Sequence, residues 1–434
     1  MARSVGALGA VGPNGAAGPH GASKGRVVLA GIGTRGDVLP LVALGAELVR
    51  RGYSCDLLSN AGYEALAARH GLSFRAVTVA QTNNLVSARD NLDQHVFPSY
   101  DPTFAHFDEL HRRGERPIVI NLDECSASNP MSELYGLPVC RLVLAPSRFN
   151  SVFRPAWPLN EKLRGPLANT YRLYRLPQIY ARMERAPFVL GRINPFRQRL
   201  GLPALERFSQ IDAPVQRRLA LFPAWFGDPQ PDWPADVALV GFPLPPAEGQ
   251  LAPELEAFIE REGRPLVFTP GTGVVDVEPF FADARRCCER LNRPGVFLSP
   301  HLQGREPPGS RIYRAPFVEL QALARRCALL VHHGGIGTTA RALEAGIPQL
   351  IRAEAYDQPD NGDRVTQLGV GAFFAPGAYS FERLVAEVER LLGDAGVAQR
   401  LECLSGDVRQ TDAIAMAVDH VERLVDQRGG VRAA

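Results

Sequence analysis

The chain has 434 residues, 45% of them hydrophobic and 22% charged, with a formal charge of +2. That length exceeds what one core comfortably fills and points to two domains, while the near-neutral charge gives the chain as a whole no electrostatic case for nucleic acid. Seven cysteines without a C-x-x-C pair fit reduced thiols in a cytosolic protein, and no apolar run approaches the roughly 20 residues of a membrane span.

Residues 1–25 are largely Gly, Ala and Pro with little to bury, and they read as a disordered tail or a mis-assigned start. Gly and Pro interrupt the segment too early for the apolar centre of a signal peptide. The first expected strand is Val27–Gly31. Gly31, Gly33 and Gly36 then spell G-x-G-x-x-G, and the spacing of Leu41, Leu44 and Leu48 predicts an amphipathic helix. A second strand, Ser54–Leu58, carries Asp56 roughly where the ribose-binding acid of a dinucleotide fold would stand. The fingerprint is short and does not by itself establish a dinucleotide site.

Further strands are expected at Ile118–Leu122, Val139–Ala145 and Leu219–Phe222. The alternation stops in a proline-crowded stretch, Phe226–Gln250, and restarts with Pro265–Thr269, Gly295–Leu298, Ala328–His332 and Pro348–Ile351. Alternating β and α patterns imply parallel sheets with right-handed crossovers. The predicted fold class is therefore α/β, with two Rossmann-like parallel-sheet domains, residues 26–240 and 241–411, facing a central cleft. Ligands are expected at the carboxyl ends of the strands. Thr411–Gln427 places Ile414, Ala417, Val418, Val421 and Val425 on one helical stripe, which predicts a terminal helix within 412–434.

The second half has its own glycine turn. In CALLVHHGGIGTTARALEAGIPQLI, a buried strand ends at Val331, two histidines follow, and Gly334-Gly335-Ile336-Gly337 opens a helix at Thr338-Thr339. Backbone N–H groups at a helix start suit a phosphate, although the same glycines could simply make a tight turn.

HHGGIGTTARALEAGIPQLIRAEAYDQPDNGDRV, residues 332–365, resembles the donor-binding signature of GT-B, family 1 nucleotide-sugar glycosyltransferases. GTRGDVLPLVALGAEL, residues 33–48, looks like the amino-terminal loop of their bacterial branch, which includes natural-product, sterol and lipid glycosyltransferases. Two stretches, residues 219–244 and 263–273, are most similar to the rhamnosyltransferases that glycosylate hydroxy-fatty acids. The resemblance covers nearly everything after residue 25 and is weak between about 81 and 211. A dehydrogenase would leave the second glycine turn and the Asp357-Gln358 pair unexplained.

The resemblance implies an inverting, metal-independent transfer of a hexose or deoxyhexose from a UDP- or dTDP-sugar to a small hydroxylated acceptor. The acceptor would bind to 26–240, the donor to 241–411, and the last helix would cross back to the first domain. No cofactor is implied beyond the sugar nucleotide, and no D-x-D occurs to clamp a metal. Asp37 is the candidate base for the acceptor hydroxyl, with helix capping as its alternative role. Gly33, Thr34, Arg35 and Gly36 form the acceptor-side loop, and Arg35 would orient Asp37 or meet the donor phosphates. Gly334, Gly335, Gly337 and Thr338 would hold the diphosphate, His332 would donate to it, and Thr272 would also contact it; His333 carries little weight. Asp357 and Gln358 would accept and donate hydrogen bonds to sugar hydroxyls. Phe317, beside Val318, is the flat residue expected to stack on the base.

From Arg148 to Arg218 the chain carries 14 Lys plus Arg against four acids, a net +10, interleaved with Tyr171, Tyr174, Tyr180, Phe188 and Phe196. This is either a solvated face or a basic, apolar region for an amphiphilic acceptor or a peripheral membrane contact. The rival to an enzyme is a non-catalytic sugar-nucleotide-binding partner subunit. Intact Asp37, His332 and Asp357-Gln358 argue against it.

Overall fold

The computed structural model describes residues 23–431 apart from 81–87, 123–125, 161–167, 186, 247–248, 272, 303, 305 and 308. The tail expected at 1–25 lies outside the described residues up to position 22. Lys24 already donates its amide to the Gly52 carbonyl at 3.0 Å.

Seven parallel strands form the first sheet: β1 (Arg26–Ala30), β2 (Ser54–Asn60), β3 (Ser73–Thr78), β4 (Ile118–Asn121), β5 (Val139–Val143), β6 (Val215–Ala220) and β7 (Val237–Leu239), in the order β3-β2-β1-β4-β5-β6-β7. Six form the second: β8 (Leu266–Thr269), β9 (Gly295–Leu298), β10 (Ile312–Ala315), β11 (Leu329–His332), β12 (Gln349–Arg352) and β13 (Gly371–Phe374), in the order β10-β9-β8-β11-β12-β13. Both sheets reverse direction once, between β1 and β4 and between β8 and β11. Such reversals open a crevice at the carboxyl ends of the strands. The crevice of the first sheet receives the loop after β1, and that of the second receives the loops after β8 and β11.

The proline-rich stretch does not end the first sheet, because β7 lies inside it. Three residues suffice there: an edge strand uses hydrogen bonds on one side only, so nearby prolines are tolerated. The expected β6 also starts earlier, since Val215–Arg218 is only partly covered at the sheet's margin.

Val27, Leu29, Leu41, Leu44 and Leu48 are fully buried between β1 and the helix Arg35–Arg50. The helix Ala413–Val431 returns to this same core and buries Ala417, Val418, Val421 and Leu424 in it. Arg51 anchors the return on Asp419 and Glu422, at 2.5 and 2.6 Å. Further contacts tie the two halves together around the helix Gln358–Gln367. The Arg154 guanidinium donates to Gln367 at 3.0 Å, the Asn160 amide to Asp363 at 2.8 Å and Arg364 to the Phe226 carbonyl at 3.0 Å.

Candidate active site

The loop after β1 is built around Asp37. Its Oδ2 accepts from the Thr34 amide at 2.8 Å and from the Thr34 hydroxyl at 2.9 Å, which closes the first turn of the helix. Glycine is required at 33, where a Cβ would come within 2.5 Å of that same oxygen. Asn60 accepts from the Gly33 amide at 3.1 Å, and the Tyr63 hydroxyl donates to the Gly33 carbonyl at 3.3 Å. Burial, with the Asp37 charge next, raises the Tyr63 phenol to about 12, so this tyrosine stays protonated. Gly36 is exposed and open.

Asp56 has no part in this site. It is 4% exposed and is held by Arg26 at 2.8 Å and His106 at 3.2 Å. An acid locked in that way cannot serve a ribose, and the dinucleotide reading of the first glycine loop falls with it.

Across the cleft, the glycine turn after β11 opens the helix Ile336–Ala345, with Gly335 as its cap. Its first intrahelical bond runs from the Thr339 amide to the Gly335 carbonyl at 3.0 Å, so the amides of Ile336, Gly337 and Thr338 precede it. Gly334 takes a φ of +95°, and a side chain there would collide with Ile351.

The two histidines differ in what they touch. His332 is fully buried; its Nε2 meets the Gln349 side-chain oxygen at 2.9 Å and its Nδ1 accepts from the Gly334 amide at 3.1 Å. Both ring nitrogens are consumed within the protein, so His332 shapes the turn and donates nothing to a phosphate. His333 instead lies between the two glycine loops of the second domain: a Cβ on Gly271 would come within 2.9 Å of its Nδ1, and one on Gly335 within 2.5 Å of its Nε2. Its Nδ1 has no hydrogen-bond partner.

Burial lowers His332 to about 3 and His333 to about 4, so both are neutral at pH 7. The sign of the resulting acid sensitivity is fixed. The unfolded chain protonates these rings near the ordinary 6.5 and the folded chain does not, so stability is complete above about pH 6.5 and is lost as the pH falls towards 3. Both histidines contribute to the loss across that window. Thermal unfolding followed from pH 7 to pH 4 is expected to show this decline, and His332→Gln to show a shallower one.

Asp357 and Gln358 adjoin the glycine turn through Asn361, whose side-chain amide donates to the Gly334 carbonyl at 2.9 Å and to Asp357 Oδ2 at 2.8 Å. Burial raises the Asp357 pKa; Asn361 and the Arg148 charge oppose this, and the Asp37 charge adds to it. A geometric link between the loop that carries Asp37 and the second domain is Arg35, whose guanidinium lies 5.1 Å from the centroid of the Phe317 ring. Gln358 spends its side-chain oxygen on the Glu354 and Ala355 amides, at 2.9 and 3.1 Å. That leaves Gln358 a donor, beside Asp357 as the acceptor of the pair. Tyr356, with a φ of +60°, turns the loop into this helix.

Phe317 is 58% exposed, but the Arg35 guanidinium lies over its ring at 5.1 Å. Arg35 therefore reaches the second domain. The Val318 side chain packs into the core beneath. Thr272 lies outside the described residues. Among the described residues no three His, Cys, Asp or Glu side chains cluster as metal ligands would.

Among the described residues, five of the fourteen basic residues in this stretch are paired with acids. Arg154 pairs with Asp228, Arg192 with Asp93, Arg197 with Glu133, Arg199 with Asp101, and Arg218 with Asp212 and Asp236. All these acids except Asp212 lie outside the stretch, so the counted +10 is not a continuous basic surface. Exposed Leu173 and Tyr174 remain beside Arg172 and Arg175. No described helix is long and apolar enough to cross a membrane.

Residues 27–95 match the family model of the glycosyltransferase family 28 N-terminal domain, and residues 303–417 match that of the erythromycin biosynthesis protein CIII-like C-terminal domain. The O-mycaminosyltylonolide 6-deoxyallosyltransferase of Streptomyces fradiae is 28% identical over 424 residues, covering 93% of this chain and 98% of the relative. The chain is a GT-B glycosyltransferase. Solved structures of the fold agree: the glycosyltransferase of kitacinnamycin superposes with a TM-score of 0.72 at 19% identity, covering 92% of this chain and 98% of that one. The glycosyltransferase VinC, solved in complex with dTDP, gives a TM-score of 0.63 at 18% identity, covering 93% and 100%. Sequence reasoning gave His333 little weight and assigned Asn361 no role of its own, although both adjoin the glycine turn. The buried Gln349 was the available signal for His332, since a fully buried polar residue on a strand needs a nearby partner.

Proposed function

We propose that this glycosyltransferase moves a hexose or deoxyhexose from a dTDP- or UDP-sugar, with inversion and without a metal, to a hydroxyl of a small, largely apolar secondary metabolite. The observation that carries the reading is the pairing across one cleft of Asp37 with a glycine turn, His333 and the Asp357-Gln358 pair. The diphosphate would take the amides at the start of the helix Ile336–Ala345, where the helix dipole and His333 meet its charge. A bound diphosphate favours protonation of His333, against the effect of burial. Asp357 and Gln358 would accept from and donate to the sugar hydroxyls.

The acceptor oxygen attacks the anomeric carbon from the side of the first domain, the bond to the diphosphate breaks, and Asp37 receives the hydroxyl proton. An ordinary carboxylate is a weak base for an alcohol, so the proton moves late, once the oxygen has begun to bond. Fixed amides and the helix dipole stabilise the departing charge.

Two observations favour a secondary-metabolite acceptor over an anionic lipid. Five of the arginines that would have attracted a carboxylate are held by acids of the fold, and a relative matched over nearly the whole chain acts on a tylonolide. The test is transfer across a panel of dTDP- and UDP-sugars with neutral aglycones, sugars and hydroxy-fatty acids, with and without EDTA. The expected result is turnover on apolar aglycones that survives chelation, with the opposite anomeric configuration in the product. Donor binding without turnover of any acceptor, or activity abolished by EDTA and restored by magnesium, would contradict it.

A further inference from the structure

The contact between Arg35 and Phe317 joins the two halves of the cleft. Arg35 belongs to the first turn of the helix that carries Asp37, and Phe317 to the loop after β10. Both side chains are exposed, so the contact is not forced by core packing. Its geometry, a guanidinium 5.1 Å from a ring centroid, is that of a cation–π pair.

We infer that Arg35 covers the base-binding face of Phe317 and must be displaced when the donor's nucleobase stacks there, which makes Arg35 a positioning residue for the sugar nucleotide. This rests on the reading of Phe317 as the base-stacking residue. Arg35 reaches the ring from the opposite domain, so the face it covers is the one turned to the cleft, and the donor must approach from that side. A guanidinium and a nucleobase cannot both lie flat on one face. Donor binding therefore releases the loop that carries Asp37 from the second domain, before the acceptor has to be admitted beside that carboxylate.

The competition has a measurable size. An exposed cation–π contact corresponds to about a two- to fivefold change in an equilibrium constant. Titrations of dTDP and of UDP into the full chain, Arg35→Ala, Phe317→Ala and the double variant separate the possibilities. Arg35→Ala is expected to bind the nucleotides about two- to fivefold more tightly, Phe317→Ala more weakly, and the double variant no more tightly than Phe317→Ala alone. Both positions are exposed, and thermal unfolding checks that the variants fold. Unchanged or weaker binding in Arg35→Ala, with Phe317→Ala weakened, would overturn the displacement and leave the stacking role standing. Unchanged binding in Phe317→Ala would overturn the stacking role and the inference with it.

Discussion

Asp37→Asn is expected to slow transfer at saturating acceptor by about a hundred- to ten-thousandfold, the range in which a positioned general base contributes. Donor affinity should stay close to that of the parent, because the diphosphate and sugar are held by the other domain. The substitution is chosen to separate two roles that the structure places on one side chain. Oδ2 of Asp37 accepts from the Thr34 amide and hydroxyl and so caps the helix Arg35–Arg50. Asparagine keeps an oxygen for that cap and loses only the basicity. Parental turnover in Asp37→Asn would leave capping as the whole role. Asp37→Ala removes both functions and should lower stability by about 1 kcal/mol as well.

The two adjacent histidines are expected to fail in opposite ways. His333→Ala removes a ring that faces the space between Gly271 and Gly335, and it should weaken dTDP or UDP binding roughly tenfold to a hundredfold, the range of a hydrogen bond to a charged group. Its effect on the melting temperature should be small. His332→Ala removes the partner of the buried Gln349 side-chain oxygen and of the Gly334 amide. Each buried group left unsatisfied costs about 1–3 kcal/mol, so the main loss is in stability. Calorimetric titration and thermal unfolding of the two variants side by side check the contrast. A stable His332→Ala that cannot bind nucleotide would reverse the assignment.

Much of this site was legible in the sequence because its glycines have no substitute. Gly33 and Gly334 sit where a Cβ would strike Asp37 or Ile351, and the spacing of such residues survives in the chain as a motif. The paired histidines were not legible in the same way. Successive residues leaving a strand point to opposite sides, and in a parallel sheet covered on both faces hydrophobicity does not say which side is the cleft. Gln358 shows a second limit: its type allows donation and acceptance, but the loop at Glu354 and Ala355 takes its oxygen. The arginine-rich stretch shows a third. Charge counted along the chain ignored Asp93, Asp101, Glu133 and Asp228, which the fold brings to those arginines from outside the stretch. Among the strands, β3, β7, β10 and β13 escaped notice because each is short or lies at a sheet's margin, where the apolar run is too brief to stand out.

Two glycine-rich loops open onto the same cleft, and the central claim is that the nucleotide uses only the second. A crystal structure with dTDP or UDP decides this directly. The diphosphate is expected at the amides of Ile336, Gly337 and Thr338, with a His333 ring nitrogen within hydrogen-bond distance and the Gly31–Gly36 loop free of phosphate. A diphosphate seated on the Gly31–Gly36 loop, with the helix start at Ile336 empty, would contradict it.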